Sequence, residues 1–344
     1  MKKEVAVHYD LVRKINMVSI INYFQQHETA TKSEVAQHTG LSLPTVSSIL
    51  GLLLEMGEVT RHDYDTSSGG RPAERFAINL LNSLSLAVIL QLDSIEYAVA
   101  DSIGTILFQC SHDVKDDFSI SYLDDLIGQA IHEYPAIKVI SVGVPGSINN
   151  GVLHFMPVKY QTFNNMNLQE HIHALYHLPT IVENDLNAIV QGQYLRNYEG
   201  ILGGVVHFTV TEDGVGLGIN SNGQVIHGDT GFAGEIGFIP CINNKNVRQA
   251  IDEAQSKEEL SDILTHVLVI ISCLLNPRYF FLSGKKMSED LIPSIKKKAY
   301  ALWEEVAIPE IMFVDDIMSL YFIGLIDMAR KKYYSPDYIL PTEE

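Results

Sequence analysis

The chain has 344 residues, 46% hydrophobic and 19% charged, with a formal net charge of -18. That length fits two or three domains at roughly 100–200 residues each, and the composition excludes a disordered or collagen-like chain. The apolar run Val267–Leu275 is far short of the roughly 20 residues of a membrane span.

Lys2 and Lys3 are followed by Glu4, His8 and Asp10 rather than by a secretory apolar stretch. Cys110, Cys241 and Cys273 are too scattered for a disulfide framework or a paired-cysteine metal motif. A cytoplasmic protein with no membrane partner is expected. The acidic balance speaks against nucleic acid, because DNA affinity is mostly phosphate neutralisation. Its distribution answers the objection: residues 1–80 hold 8 Lys+Arg against 9 Asp+Glu, so nearly all the excess charge lies in the rest of the chain. A near-neutral head on an acidic body lets the head alone approach DNA.

In the head, Leu11, Ile15, Val18 and Ile21 recur at spacings of three and four, which predicts a helix over 10–26 with these residues on its buried face. Thr31 or Lys32 opens a second helix over 33–38, and Gly40 ends it in a position suited to left-handed backbone. Ser42 caps a third helix with Pro44 in its first turn and Val46, Ile49, Leu50 and Leu53 turned inward. Ala36, Gly40, Val46 and Ile49 are spaced as in a helix-turn-helix. Pro44, Thr45, Ser47 and Ser48 then face base edges and phosphates. Two strands, 58–64 and 74–79, flank a turn containing Gly69, Gly70 and Arg71, which reads as a wing: bare backbone can approach phosphate, and an arginine is favoured in a narrow minor groove. The third helix carries no Lys or Arg between Ser42 and Gly57, so Arg13, Lys14, Lys32, Arg61, Arg71 and Arg75 are the expected phosphate contacts.

From about Leu84 strands and helices alternate, with no internal repeat visible by eye. Strands are expected over 86–92, 96–100, 106–109, 139–144 and 180–183, and a helix over 123–132. Asn184 and Asp185 follow the last strand, at the carboxyl edge where open parallel sheets bind ligands.

Wing residues 67–73 (Ser-Ser-Gly-Gly-Arg-Pro-Ala), Gly143-Val144-Pro145-Gly146, the run 183–188 (Glu-Asn-Asp-Leu-Asn-Ala), Gly214-Val215-Gly216-Leu217-Gly218 and the run 231–237 (Gly-Phe-Ala-Gly-Glu-Ile-Gly) occur in this order. Together they resemble the repressor branch of the ROK family (repressors, open reading frames and sugar kinases) over nearly the whole chain. The resemblance implies an α/β protein: a winged helix-turn-helix over 1–80 and a two-lobed ribonuclease-H-like ROK domain of the actin and hexokinase type over 84–344. Its lobes are expected at about 84–200 with the C-terminal helix, and at 201–317. The same resemblance makes Asp185 the counterpart of the kinases' general base and Glu235 that of a sugar-contacting glutamate, with Asn165 and Asn184 as further sugar contacts. Capping the helix after Leu186 is the alternative role for Asp185, and a surface turn the alternative for Glu235.

The chain also departs from the family pattern. No glycine occurs from Leu84 to Ile103, where family kinases hold ATP phosphates on a glycine pair, and Glu212 and Asp213 stand at two positions of a second phosphate loop. Carboxylates repel a triphosphate, so ATP binding and phosphotransfer are expected to be lost. Phe238 replaces a family histidine and Cys241 is the one nearby cysteine, too few ligands for tetrahedral zinc. The expectation is a transcriptional repressor of carbohydrate-related genes, with no catalytic residue, metal or cofactor. Its partners are a double-stranded DNA operator, a sugar or sugar-phosphate effector, and a second copy of itself in a homodimer or higher homo-oligomer. Two other readings stay open: a body that binds no small molecule and serves oligomerisation or protein contact, and a sugar kinase with an added head.

Overall fold

The computed structural model describes residues 2–64, 73–114, 119–200, 202–211, 214–302 and 308–339. Its head begins with α1 (Lys2–Gln26). The buried apolar residues of this helix are Met17, Ile20, Ile21, Tyr23 and Phe24, with Val18 packed against them, whereas Leu11 and Ile15 are 44% and 49% exposed. Of the expected stripe the later half, Val18 and Ile21, meets the head's core and the earlier half does not. A short strand β1 (Ala30–Thr31) leads into α2 (Lys32–Thr39). Thr31 caps α2 by accepting from Glu34 N while the Glu34 side chain accepts from Thr31 N, which satisfies two orphan donors reciprocally. Gly40 follows in left-handed backbone (φ 70°), and Ser42 caps α3 (Leu43–Glu55), whose buried residues are Val46, Ile49, Leu50 and Leu53. Strands β2 (Val59–Tyr64) and β3 (Glu74–Ile78) pair antiparallel, and β1 joins the outer side of β3. The wing's turn, with Gly69, Gly70 and Arg71, lies outside the described residues.

The body holds two five-stranded sheets of one topology. In the first, β4 (Leu84–Leu90), β5 (Ser94–Ala100) and β6 (Ile106–Asp113) run antiparallel. After α4 (Ile120–Glu133), β7 (Ile137–Val144) adds parallel to β4. A hairpin of β8 (Ser147–Asn149) and β9 (Val152–His154) and helix α5 (Leu168–Tyr176) then lead to β10 (Thr180–Asn184), parallel to β7. The order is β10-β7-β4-β5-β6. Helix α6 (Asp185–Asn197) leaves this sheet for the second one. There β11 (Gly204–Val210), β12 (Val215–Ser221) and β13 (Gln224–Val225) are antiparallel. Helices α7 (Val247–Glu253) and α8 (Lys257–Leu275), strand β14 (Tyr279–Gly284), helix α9 (Ile292–Tyr300) and strand β15 (Glu310–Phe313) complete the lobe, in the order β13-β12-β11-β14-β15. The internal repeat is one of strand order, which has no counterpart in repeated residues.

Alternation along the strands sends each sheet's two faces into different cores. In the first lobe Leu86, Val88 and Leu90 pack with α4 and α5, while Ala87 and Ile89 pack with α6 and with α10 (Ile317–Tyr333). In the second lobe Val206, Phe208 and Val210 pack with α7, α8 and α9, and Val205 with Val190 and Tyr194 of α6. Helices α6 and α10 thus form the layer between the lobes. They cross in backbone contact: a Cβ on Gly192 would lie 1.9 Å from Leu320 O, and one on Gly324 would lie 1.9 Å from Ala188 O. A polar chain runs across the same layer, from Asn220 Nδ2 to Gln191 Oε1 (2.8 Å) and from Gln191 Nε2 to Asp327 Oδ2 (2.9 Å).

The far end of α10 enters the head. Glu58, 2% exposed between α3 and β2, accepts from Tyr333 Oη (2.9 Å), Tyr334 Oη (3.0 Å), Ser83 Oγ (2.6 Å) and Asn82 Nδ2 (3.1 Å). Tyr334 and Ile339 are buried within the head's own core, beside Phe24, Leu53 and Phe76. Arg330 Nε and Gln25 Nε2 both donate to Ser102 O, at 3.1 and 3.2 Å, adding a second tie between head and body. No helix among the described residues is long and apolar enough to cross a membrane.

Candidate functional site

The cleft site is built from the carboxyl edge of the first sheet. Parallel pairing of β10 with β7 sets Asn184 opposite Val144, so the turn Pro145-Gly146 and the start of α6 share one edge. Asn184 Nδ2 donates to Gly146 O (2.8 Å), and Asn184 Oδ1 accepts from Leu186 N (2.9 Å) and Asn187 N (3.2 Å). The cap of α6 is therefore Asn184. Asp185 is the first helical residue, and its carboxylate accepts from Leu186 N (2.8 Å). Burial pushes the Asp185 carboxyl up to about 7 against the lowering effect of that hydrogen bond, and the charge of Glu235 adds to the rise. Glu235 is itself raised by burial.

Glu235 arrives on the loop after β13. Gly234 (φ 92°) lets this loop lie against β12, since a Cβ there would meet Leu217 O at 1.9 Å. The loop is also held to the first lobe: His227 Nε2 and Glu183 Oε2 are 2.8 Å apart, while Glu183 Oε1 accepts from Asn187 Nδ2 (3.0 Å). The Glu183 hydrogen bond raises the His227 pKa, with burial opposing.

Asn184, Asp185 and Glu235 line one cavity of about 200 Å³ together with Phe155, Thr211, Phe238 and Arg248. This is below the roughly 300–1,000 Å³ of common ligand pockets and leaves room for about one ring. Asn165 is not among its lining residues: it is exposed, in left-handed backbone (φ 66°), with its N donating to Leu153 O. Glu212 and Asp213 lie outside the described residues. Arg248, on α7, and Thr211, directly after β11, carry no signal in isolation, because tertiary packing brings them to the same cavity as Asp185.

On the head, Pro44, Ser47 and Ser48 are exposed on α3, and Thr45 is half-buried with its Oγ1 2.8 Å from Ser42 Oγ. Lys32 reaches this face: its Nζ donates to Ser47 Oγ (3.2 Å) and lies 5.6 Å from the Phe76 ring centroid. Two expected phosphate contacts are corrected. Lys14 is buried, at 7% exposure. Arg75 is turned inward, donating to Thr29 Oγ1 (2.8 Å) and Thr29 O (3.0 Å) and lying 3.3 Å from Glu34. Arg61 is 68% exposed and pairs with Glu74 at 2.8 Å.

Zinc chemistry finds no grouping here: among the described residues no three His, Cys, Asp or Glu side chains stand together as metal ligands. Cys241 instead packs against the second lobe's core.

A winged helix-turn-helix joined to two like α/β lobes, with a carboxylate pair in the interlobe cleft, defines a helix-turn-helix protein with an actin/hexokinase-type body. The chain carries a ROK family domain, whose model matches residues 92–253, behind an IclR helix-turn-helix domain, whose model matches residues 16–63. It is 25% identical over 240 residues to the xylose repressor of Bacillus subtilis, covering 66% of this chain and 61% of that protein. It is 24% identical over 243 residues to the DNA-binding transcriptional dual regulator NagC of Escherichia coli, covering 67% and 58%. The chain thus spans about three fifths of the length of the curated relatives it matches. Its fold is similar to that of a ROK family transcriptional regulator, a homologue of the E. coli MLC protein (TM-score 0.73, 19% identity, 93% of this chain and 99% of the other). The body alone is similar to a ROK family glucokinase from Streptomyces griseus in complex with glucose and AMPPNP (TM-score 0.56, 18% identity, 72% and 99%).

Proposed function

We propose that this protein is a DNA-binding transcriptional repressor of carbohydrate-related genes. Its interlobe cleft senses a sugar or sugar derivative, it acts as a homodimer, and it has lost phosphotransfer. One observation carries the reading: α10 lies against the cleft at one end and is built into the DNA-reading head at the other. Tyr321 of α10 is buried beside Asp185 and Glu183, and a Cβ on Gly143 would meet its Oη at 2.3 Å. Tyr333 and Tyr334, at the far end, hold Glu58 of the head. Occupancy of the cleft therefore bears on the element that orients α3, which is the differential contact a ligand needs to shift an equilibrium.

Loss of phosphotransfer is supported by the β4–β5 turn. It holds Gln91 and Asp93 in place of glycine; Tyr160 Oη donates to Gln91 O and Gln91 Nε2 reaches Met318 Sδ at 3.9 Å. Side chains thus fill a turn that would need bare backbone amides to bind phosphate. DNA contact falls to Lys32, Pro44, Thr45, Ser47, Ser48 and the wing's Gly69, Gly70 and Arg71, with the exposed Arg13, and Arg61 beside its partner Glu74, as further cations for phosphate.

Selection of bound DNA sequences tests the reading. An inverted repeat is expected, with a shallow salt dependence of about -0.9 per phosphate neutralised, and weaker binding by Arg71→Ala. Asp185→Ala and Glu235→Ala are expected to abolish the response of DNA binding to sugars. No enriched sequence, or sugar-dependent ADP release that disappears in Asp185→Asn, overturns it.

A further inference from the structure

The cleft's mouth is apolar in a way that its floor is not. Phe155, Phe232 and Phe238 are 72%, 45% and 61% exposed on a chain of net charge -18. Phe232 stands between the other two, with ring centroids 6.4 Å from Phe155 and 5.6 Å from Phe238. Phe155 and Phe238 line the same cavity as Asp185 and Glu235. The three rings form one shelf that spans the lobes, Phe155 coming from the first and the other two from the loop of the second.

Phe155 is also held in left-handed backbone, φ 54°. For a bulky side chain that conformation is strained, and it persists only where neighbours over-determine it, typically at ligand clamps. Its neighbours do so: His154 pairs with Ser147 in the β8–β9 hairpin, and Met156 N donates to Asn164 Oδ1 at 3.0 Å. The backbone is thus fixed on both sides in the conformation that leaves the ring in solvent.

We propose that the cleft takes an uncharged glycoside with an apolar or aromatic aglycone, the sugar ring seated at Asp185 and Glu235 and the aglycone against Phe155 and Phe238. The inference rests on the reading of the cleft as the sugar-sensing site. Phenylalanine has no hydrogen bond to offer a hydroxyl, and an aromatic side chain covers roughly 150–250 Å² when buried, more than a single small ring already engaged at the floor can cover on this shelf. A phosphorylated sugar fits less well. The lining sets two carboxylates against one guanidinium, that of Arg248, which also faces Asp252 at 3.9 Å. An added dianion would meet like charge at the floor.

Calorimetry on the full chain with the methyl and phenyl glycosides of D-xylose, D-glucose and N-acetyl-D-glucosamine, in both anomers, tests this. The phenyl glycoside of the recognised sugar is expected to bind about tenfold tighter than its methyl counterpart. In the Phe155→Ala, Phe238→Ala double variant that ratio is expected to fall to about one, and in the corresponding double leucine variant to an intermediate value. Methyl and phenyl glycosides that bind alike overturn this inference and leave sugar sensing standing. A preference that survives both substitutions overturns it too, because the aglycone then lies elsewhere. No binding by any glycoside or free sugar removes the sensing reading and this one with it.

Discussion

The two lobes share a strand order and differ in what they are attached to. The first lobe shares α10 with the head, through the Glu58 cluster and the two bonds on Ser102 O. The second lobe meets the rest across α6, by the packing of Val190 and Tyr194 and by the Asn220–Gln191 bond, and supplies the site with Glu235, Phe238 and Arg248. The same topology thus serves as a foundation for the head in one half and as a supplier of cleft residues in the other. What distinguishes them is where α10 ends.

The strongest test of this contrast is to cut the foundation. Glu58→Ala leaves two tyrosine hydroxyls, a serine and an asparagine without their acceptor, and hydrogen bonds to a charged group contribute about 1.5–3 kcal/mol each before compensation. A loss of about 3–5 kcal/mol is expected in chemical denaturation, with the head melting before the body and operator binding lost. An unchanged, single transition would show that the head stands alone.

Gly324→Val acts on the shared layer. Its side chain must enter the space of Ala188 O, and overpacking of this kind costs about 1–3 kcal/mol. Both lobes are expected to lose stability together, as read by hydrogen exchange in β4 and β11. Loss confined to one lobe contradicts the shared layer.

The cleft carboxylates sharpen the comparison through pH. With Asp185 raised to about 7 in the folded state and near its usual value when unfolded, the folded protein binds the extra proton between about pH 4 and 7. Its contribution therefore falls as pH rises through that window. Asp185→Asn is expected to raise Tm at pH 8 and to leave it nearly unchanged at pH 4. His227 adds a loss of the same sign: its raised pKa gives stability present below about 6.5 that disappears as pH climbs through the folded value. An Asp185→Asn effect independent of pH would contradict the assignment. The smallest expected effect is that of Phe155→Gly, which relieves left-handed strain and is expected to stabilise by about 1 kcal/mol while weakening phenyl glycoside binding. Destabilisation would mean that the ring supports the fold.

Local chemistry made much of this visible in the sequence. The Gly40 turn and the Ser42 cap each act within four residues, as does the opening of α2 at Thr31, one of the two residues expected there, and Asn184-Asp185 was recognisable by its place after a buried strand. What escaped depended on partners far along the chain. Arg75 looked available for phosphate because Thr29 lies 46 residues away, and Glu58 looked like an ordinary strand start because its partners are 275 and 276 residues away. Leu11 and Ile15 of α1 were expected inside because they continue the spacing of Val18 and Ile21, which do meet the core, and only the positions of α2 and α3 decide where the buried stripe begins. Arg248 and the phenylalanine shelf depend on the loop after β13, whose path follows from packing.

The burial of Tyr334 and Ile339 in the head has a consequence for synthesis. The head leaves the ribosome before the body, yet its apolar interior lacks two members until a segment some 275 residues downstream has been made. At roughly 5–20 residues per second that is a delay of about 15–55 s. Throughout it the nascent head is incomplete, and a chain interrupted before α10 leaves an unfinished head exposed to proteases and chaperones. The apolar interior of the head is thus closed only once the end of α10 has been made.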